Sequence, residues 1–185
     1  MNVAVYSGSF NPLHKGHEAI IRFLTKEAGF DMVYLVVTPQ NPFKVNHSLP
    51  AGQERYDAAV AAVARHPELK VKLEDIELKM IPPQYTIRTL DALKEREPEN
   101  DFTLVIGADN LAAFQGWRYH ERILREYGVV VFPRKGYHRG HDKARLMKED
   151  PSYRIVLLKA PLVTISSTEI REALAAGKDM SEWLM

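Results

Sequence analysis

Six short strand-like runs, alternating with helical patterns along much of the chain, constrain it more than any other feature. The runs are Val3–Tyr6, Met32–Val37, Val71–Leu73, Phe102–Ile106, Val129–Phe132 and Ile155–Leu158. A strand with one face in water alternates apolar and polar residues, whereas a strand covered on both faces is apolar almost throughout. Between the runs, Ala19, Ile20, Ile21, Phe23, Leu24 and Ala28, then Tyr56, Ala59, Val60, Val63 and Ala64, then Ile87, Leu90 and Leu93, recur on single helix faces. The expected architecture is α/β: a doubly wound parallel sheet with helices on both faces.

Punctuation agrees with this plan. Gly29 is placed to end the first helix, His66-Pro67 to end the second and Glu97-Pro98 the third, with Thr86 as the third helix's expected cap. Residues 134–150, rich in Arg, Lys, His and Gly, read as an exposed, mobile loop with room for a short helix. After the last apolar run, Ser166 and Glu169 stand at capping-box spacing and open a further helix through Leu174. With 185 residues, one domain over 1–185 is expected, its C-terminal helical segment from about 166 packing on the rest.

Composition excludes several functions. Lys and Arg number 25 against 24 Asp and Glu, so a net charge of +1 gives no reason to expect nucleic acid or a membrane surface as partner. The absence of cysteine removes disulfides, thiolate metal sites and a cysteine nucleophile. No apolar stretch approaches the ~20 residues of a spanning helix, and the N-terminus reads at once as strand rather than as a signal peptide, so a cytoplasmic protein is expected.

Ligands of doubly wound sheets bind outside the carboxyl ends of the strands, where the winding reverses. The loops starting at Ser7, Thr38, Gly107, Pro133 and Ala160 hold nearly every unusual residue, above all Gly8-Ser9-Phe10-Asn11-Pro12-Leu13-His14-Lys15-Gly16-His17. A glycine-rich turn leading into a helix start offers free N–H groups and the positive end of the helix dipole, a natural phosphate seat. His14 and His17, three apart, can face one anion. Either histidine alone is an ordinary surface residue; the whole string at a strand-to-helix turn is a specific signal. As a zinc pair they would need further ligands, and no metal cage is visible in the sequence.

His14-Lys15-Gly16-His17, together with Ile165-Ser166-Ser167-Thr168-Glu169-Ile170-Arg171, resembles the two signatures of the His-x-Gly-His nucleotidyltransferase superfamily. Three further stretches narrow the resemblance to the nicotinate-mononucleotide adenylyltransferases: Pro39-Gln40-Asn41-Pro42-Phe43-Lys44, Gln84 to Leu90, and Ile106-Gly107-Ala108-Asp109-Asn110-Leu111 with Trp117. The resemblance implies a Rossmann-like fold and transfer of AMP from ATP to nicotinate mononucleotide, giving deamido-NAD and pyrophosphate. It implies His14, His17, Lys44 and Arg171 as the catalytic group around the triphosphate. ATP would be held by Gly8, Ser9 and Phe10, by Gly107, Asp109 and Arg134, and by Ile165, Ser167, Thr168 and Arg171 besides the histidines. The pyridine mononucleotide would be held by Ser9, Lys44, Tyr85, Thr86, Asp109 and Trp117. Mg²⁺ would enter with ATP.

Three of these residues have ordinary alternatives in the sequence. Trp117 can stack on a pyridinium ring or pack in the core; Asp109 can contact ligand or cap a helix; Arg134 can meet phosphate or adenine, or remain a solvated loop charge. Ser9 and Asn11 stand where many members of the superfamily have Thr and Asp, and the tail from Lys178 is shorter than usual and lacks the customary closing helix. A homo-oligomer is compatible with the pattern. The same chemistry on nicotinamide mononucleotide or phosphopantetheine, and a nucleotide-binding module without turnover, are the alternative functions.

Overall fold

The computed structural model describes residues 1–39 and 51–185. Its centre is a six-stranded sheet in the order β3-β2-β1-β4-β5-β6, every neighbouring pair parallel. The strands are β1 (Asn2–Gly8), β2 (Met32–Val37), β3 (Val71–Glu74), β4 (Asp101–Gly107), β5 (Val129–Phe132) and β6 (Ile155–Leu157). All six apolar runs are strands, as their composition predicts.

The side-chain period of two divides each strand between two cores. Val3, Val5, Tyr34, Val36, Phe102, Leu104, Ile106, Val129 and Val131 face one side, where α3 (Thr86–Arg96), α4 (Ala108–Ala112) and α6 (Arg139–Glu149) supply Leu90, Leu93, Leu111 and Leu146. Ala4, Tyr6, Val33, Leu35, Val37, Val105, Val130 and Phe132 face the other, with Ile20, Ile21 and Leu24 of α1 (Lys15–Lys26) and Ala59 and Ala62 of α2 (Gly52–Ala64). Both faces are therefore covered, which is why the strands carry so few polar residues. A short turn, α5 (His120–Arg122), runs into a π-helical turn over Ile123–Tyr127. The last helix is α7 (Ser167–Ala175), and no described helix is long and apolar enough to cross a membrane.

The first crossover places α1 on one face and the β3-to-β4 crossover places α3 on the other. The winding therefore reverses between β1 and β4, and a crevice opens where Gly8 and Gly107 end those two strands. That reversal positions the site.

Three local expectations change. Residues 139–149 form an eleven-residue helix instead of a mobile loop. Leu146 is fully buried, and Arg139 fastens the helix start by donating to Val131 O and Leu158 O, both at 2.6 Å. Too few apolar residues mark this helix for periodicity to show it. Tyr85, not Thr86, is the residue before α3, and Thr86 is its first helical residue. The first helix ends at Lys26, with Gly29 just beyond it at φ +82°.

Candidate active site

Two helix N-termini meet beside the crevice, and the first is capped by histidines. His14 has extended backbone, and its Nδ1 accepts from the Gly16 N–H at 3.0 Å; in return His17 Nδ1 accepts from the His14 N–H at 3.1 Å. This is a capping box in which imidazoles take the places usually held by Ser and Glu. Because each Nδ1 accepts from a backbone N–H, it carries no proton, so the neutral tautomer of both rings bears hydrogen on Nε2. The two rings lie against each other with centroids 3.8 Å apart.

Both histidines are held neutral. Burial, followed by the positive charge of Arg134, pushes the His14 imidazole down to about 4. His17 is pushed well below its ordinary value by burial, then by His14 and Arg134. A dry site stocked with neutral N–H donors can accept an anion without first neutralising a cation of its own.

The second N-terminus is stitched to the first. The Ser167 hydroxyl donates to Pro12 O at 3.0 Å, and Arg171 donates to Asn11 O at 2.6 Å while its other terminal nitrogen reaches Thr168 Oγ1 at 3.1 Å. Ser166 caps α7 by accepting from the Glu169 N–H at 3.1 Å, the outcome its spacing predicts. A cavity of about 110 Å³ lies between the two helix starts, walled by His14, Gly16, His17, Ile165, Ser166 and Ser167 among others. Two positive helix ends thus face one small space, an arrangement built for phosphate.

A second cavity of about 180 Å³ continues along the crevice past Ser7, Gly8, Ser9, Phe10, Gly107 and Asn110. A third, of about 460 Å³, opens toward Asp109, Lys135, Tyr137 and Thr164. Arg134 and either His17 or Asp109 line each of the three. Arg134 is therefore the central cation of the crevice, not a solvated loop charge: its guanidinium sits over the Phe132 ring and its Nε lies 3.7 Å from Asp109 Oδ1. That distance is too long for a hydrogen bond, and both atoms, with Ser7 Oγ, are buried without a hydrogen-bond partner among the described residues.

Gly107 is required where it stands, since a Cβ there would come within 2.6 Å of Asp109 Oδ1 and 2.9 Å of Phe132. Phe10 takes φ +47°, an uncommon conformation for a bulky residue, and turns its ring in to pack edge-on against His17 at 5.2 Å.

Of the residues named from sequence, the structure brings His14, His17, Gly8, Ser9, Phe10, Gly107, Asp109, Arg134, Ile165 and Ser167 around this crevice. Thr168 and Arg171 are not among the walls of these three cavities; Arg171 donates to Asn11 O of the first motif and to Thr168 Oγ1. Tyr85, Thr86 and Trp117 are not among those walls; Arg118, next to Trp117 in the chain, lies over the Tyr85 ring, and Trp117 packs on Phe114 at 4.7 Å. Trp117 is half-buried against the core, so the packing role applies to at least one side of its ring. Lys44 lies outside the described residues.

Sequence reasoning missed Tyr6, Ser7, Asn110, Phe132 and Val163 in the walls, and it missed Arg55 altogether. Arg55 is 3% exposed and donates to both Ser9 O and Thr38 O, so it ties the turn after β1 to the end of β2. For the strand residues a signal existed: Tyr6, Ser7 and Phe132 occupy carboxyl-end positions of central strands. For Arg55, one charge in an amphipathic helix, there was none.

A parallel sheet whose winding reverses over a neutral, donor-lined crevice between two helix N-termini defines an α/β protein of the nucleotidyltransferase class. A sequence profile of the cytidylyltransferase-like family matches residues 5–173. A probable nicotinate-nucleotide adenylyltransferase of Bacteroides fragilis is 41% identical over 97% of this chain and 85% of its own length. One from Cytophaga hutchinsonii is 38% identical over 97% and 89%. The chain belongs to the cytidylyltransferase-like family and, within it, to the nicotinate-nucleotide adenylyltransferases. The fold is also that of the Plasmodium falciparum nicotinic acid mononucleotide adenylyltransferase complexed with NaAD, with TM-score 0.75 at 22% identity over 98% of this chain and 87% of that one.

Proposed function

We propose that this protein transfers AMP from ATP to nicotinate mononucleotide, giving deamido-NAD and pyrophosphate. The observation that carries the reading is the pair of stitched helix N-termini with two neutral imidazoles, each with its Nδ1 already occupied, in the walls of one small cavity. In the reaction an oxygen of the acceptor's 5′-phosphate attacks the α-phosphorus of ATP in line. The bond from that phosphorus to the bridging oxygen breaks, and the electron pair leaves on pyrophosphate.

No general base is needed. A phosphate monoester has its second pKa near ~6 and already carries the attacking charge at neutral pH. The protein's work is positioning and stabilisation of charge. We assign His14 and His17 to the phosphoryl oxygens as hydrogen-bond donors, and Ser167 with the α7 N-terminus to the departing pyrophosphate. Arg171 holds the two motifs together through Asn11 O and adds positive charge behind them. Arg134 and Asp109 take the adenosine side of the crevice, while Lys44, Tyr85, Thr86 and Trp117 belong to the acceptor. Among the described residues, Asp109 is the one acidic wall residue of the three cavities, and Arg134 stands beside it. We take Mg²⁺ to come as part of the MgATP substrate, where it neutralises phosphate charge.

Pyrophosphate release with ATP and a panel of acceptors tests the function. Turnover with nicotinate mononucleotide, at a higher kcat/KM than with nicotinamide mononucleotide or phosphopantetheine, is expected. Folded, pure protein without turnover on any acceptor refutes it. His17→Ala is expected to lower kcat by at least about 100-fold while weakening the helix cap by only ~1 kcal/mol.

A further inference from the structure

Ser7 is the next-to-last residue of β1, paired with Val36 of β2 and next to Gly8. Its hydroxyl is buried, lines the 180 Å³ cavity, and has no hydrogen-bond partner among the described residues. A buried hydroxyl left without a partner is unfavourable, and native structures rarely keep one without reason. Among the described residues, two further buried side-chain atoms lack a hydrogen bond, Asp109 Oδ1 and Arg134 Nε; they face each other as an ion pair at 3.7 Å and line the same crevice. Orphaned polar atoms gathered in one crevice point to a ligand that completes them.

The walls indicate which chemistry fits. The described residues around the Ser7 cavity include His17, Ser9, Asn110, Arg134 and Ser167, all able to donate, and among them is no acidic side chain. A serine hydroxyl has one hydrogen to give. Its lone pairs can accept from donors such as Arg134, and its hydrogen is then best matched by an acceptor that a ligand brings, of which an anionic phosphoryl oxygen suits a site beside that cation.

We propose that Ser7 is a substrate-binding residue whose hydroxyl donates to a phosphoryl oxygen of a bound nucleotide. The proposal rests on the adenylyl-transfer reading for the identity of the nucleotides, though not for the presence of the site. The phosphoryl oxygen comes from one of two sources, the α-phosphate of ATP or the 5′-phosphate of the acceptor, and separate titrations tell them apart.

The test compares Ser7→Ala and Ser7→Thr with the unaltered protein. Thermal unfolding is followed without ligand, with ATP alone and with nicotinate mononucleotide alone, alongside kcat and KM for each substrate. Ser7→Ala is expected to match or exceed the parent's Tm without ligand, because an unbonded hydroxyl has been removed. It should lose ligand-induced stabilisation with one nucleotide and fall about 10- to 100-fold in kcat/KM. Ser7→Thr, which restores a hydroxyl on a residue suited to a strand, should recover most of both. A loss confined to ATP assigns the α-phosphate, and one confined to the mononucleotide assigns the acceptor phosphate. Ser7→Ala with unchanged binding and kcat/KM overturns the proposal and leaves the hydroxyl to water alone. If the parent protein binds nucleotides but turns over no acceptor, the adenylyl-transfer reading falls, and the thermal shifts still decide the role of Ser7.

Discussion

Gly16→Ala adds one methyl group and should disable the site without unfolding the protein. Gly16 is the second residue of α1, and its N–H donates to His14 Nδ1. A Cβ placed on it would lie 2.7 Å from His14 Cε1, 2.9 Å from His14 Nδ1 and 2.5 Å from Val163 Cγ1. Ordinary contact begins near 3.4 Å, so the imidazole must retreat by at least 3.4 − 2.7 = 0.7 Å and Val163 by 3.4 − 2.5 = 0.9 Å. The ring cannot move so far and keep its cap hydrogen bond. Misplacement of about 1 Å in a positioned group costs on the order of 100-fold in rate. Stability changes far less: alanine gains up to ~1 kcal/mol over glycine in a helix, and loss of the cap costs ~1 kcal/mol. At saturating ATP and nicotinate mononucleotide, kcat should therefore fall about 100-fold, with Tm moved by no more than about 4 °C. A Gly16→Ala protein with parental Tm and kcat within about threefold of the parent would refute the reasoning, since His14 would then work from a displaced position.

Arg55→Ala removes the donor to Ser9 O and Thr38 O and should cost about 2–5 kcal/mol in urea unfolding, with Arg55→Lys recovering part of it. His14, held near 4 when folded and near 6.5 when unfolded, binds fewer protons in the native state between those values, so its contribution to stability is lost as pH falls from about 6.5 to about 4. His14→Asn, which keeps a capping acceptor, should flatten that acid limb in Tm measured against pH. Glu77, buried and hydrogen-bonded by Thr89 Oγ1 at 2.8 Å, runs the other way: burial pushes its carboxyl up to about 7, so stability falls as pH rises from about 4.5 to about 7. Glu77→Gln should leave stability unchanged at pH 4.5 and raise it by about 3 kcal/mol at pH 8, measured by urea unfolding.

Much of the fold was legible because a buried parallel strand must be apolar at almost every position, and five such runs survive in the sequence, with Val71-Lys72-Leu73 of the edge strand as the weaker sixth. The helix at residues 139–149 was legible only as room for a short one, because one fully buried leucine and an arginine bonded to two strand-end carbonyls hold it. Neither feature has a periodicity. In the site, the two histidines were visible as a spacing on a helix start, and Ser166 was visible as a cap. Their partners were not, because the hydrogen bonds from α7 to the carbonyls of Asn11 and Pro12 span more than 150 residues of chain.

By itself, then, the sequence determined the alternation of strand and helix, the glycine-rich turn with its two histidines at the start of α1, and the capped start of α7, all of which are local consequences of residue type and spacing. Only the tertiary structure decided that the two helix starts face one cavity. It also decided that Arg134 stands at the centre of the crevice, that Arg55 braces it from beneath, and that Ser7 is left with a hydroxyl to offer. The physical reason is that burial and charge at a point depend on every element packed around it. His14 Nδ1 is occupied by its own helix, a local fact, while the neutrality that leaves both rings as donors comes from the fold that buries them and sets Arg134 alongside.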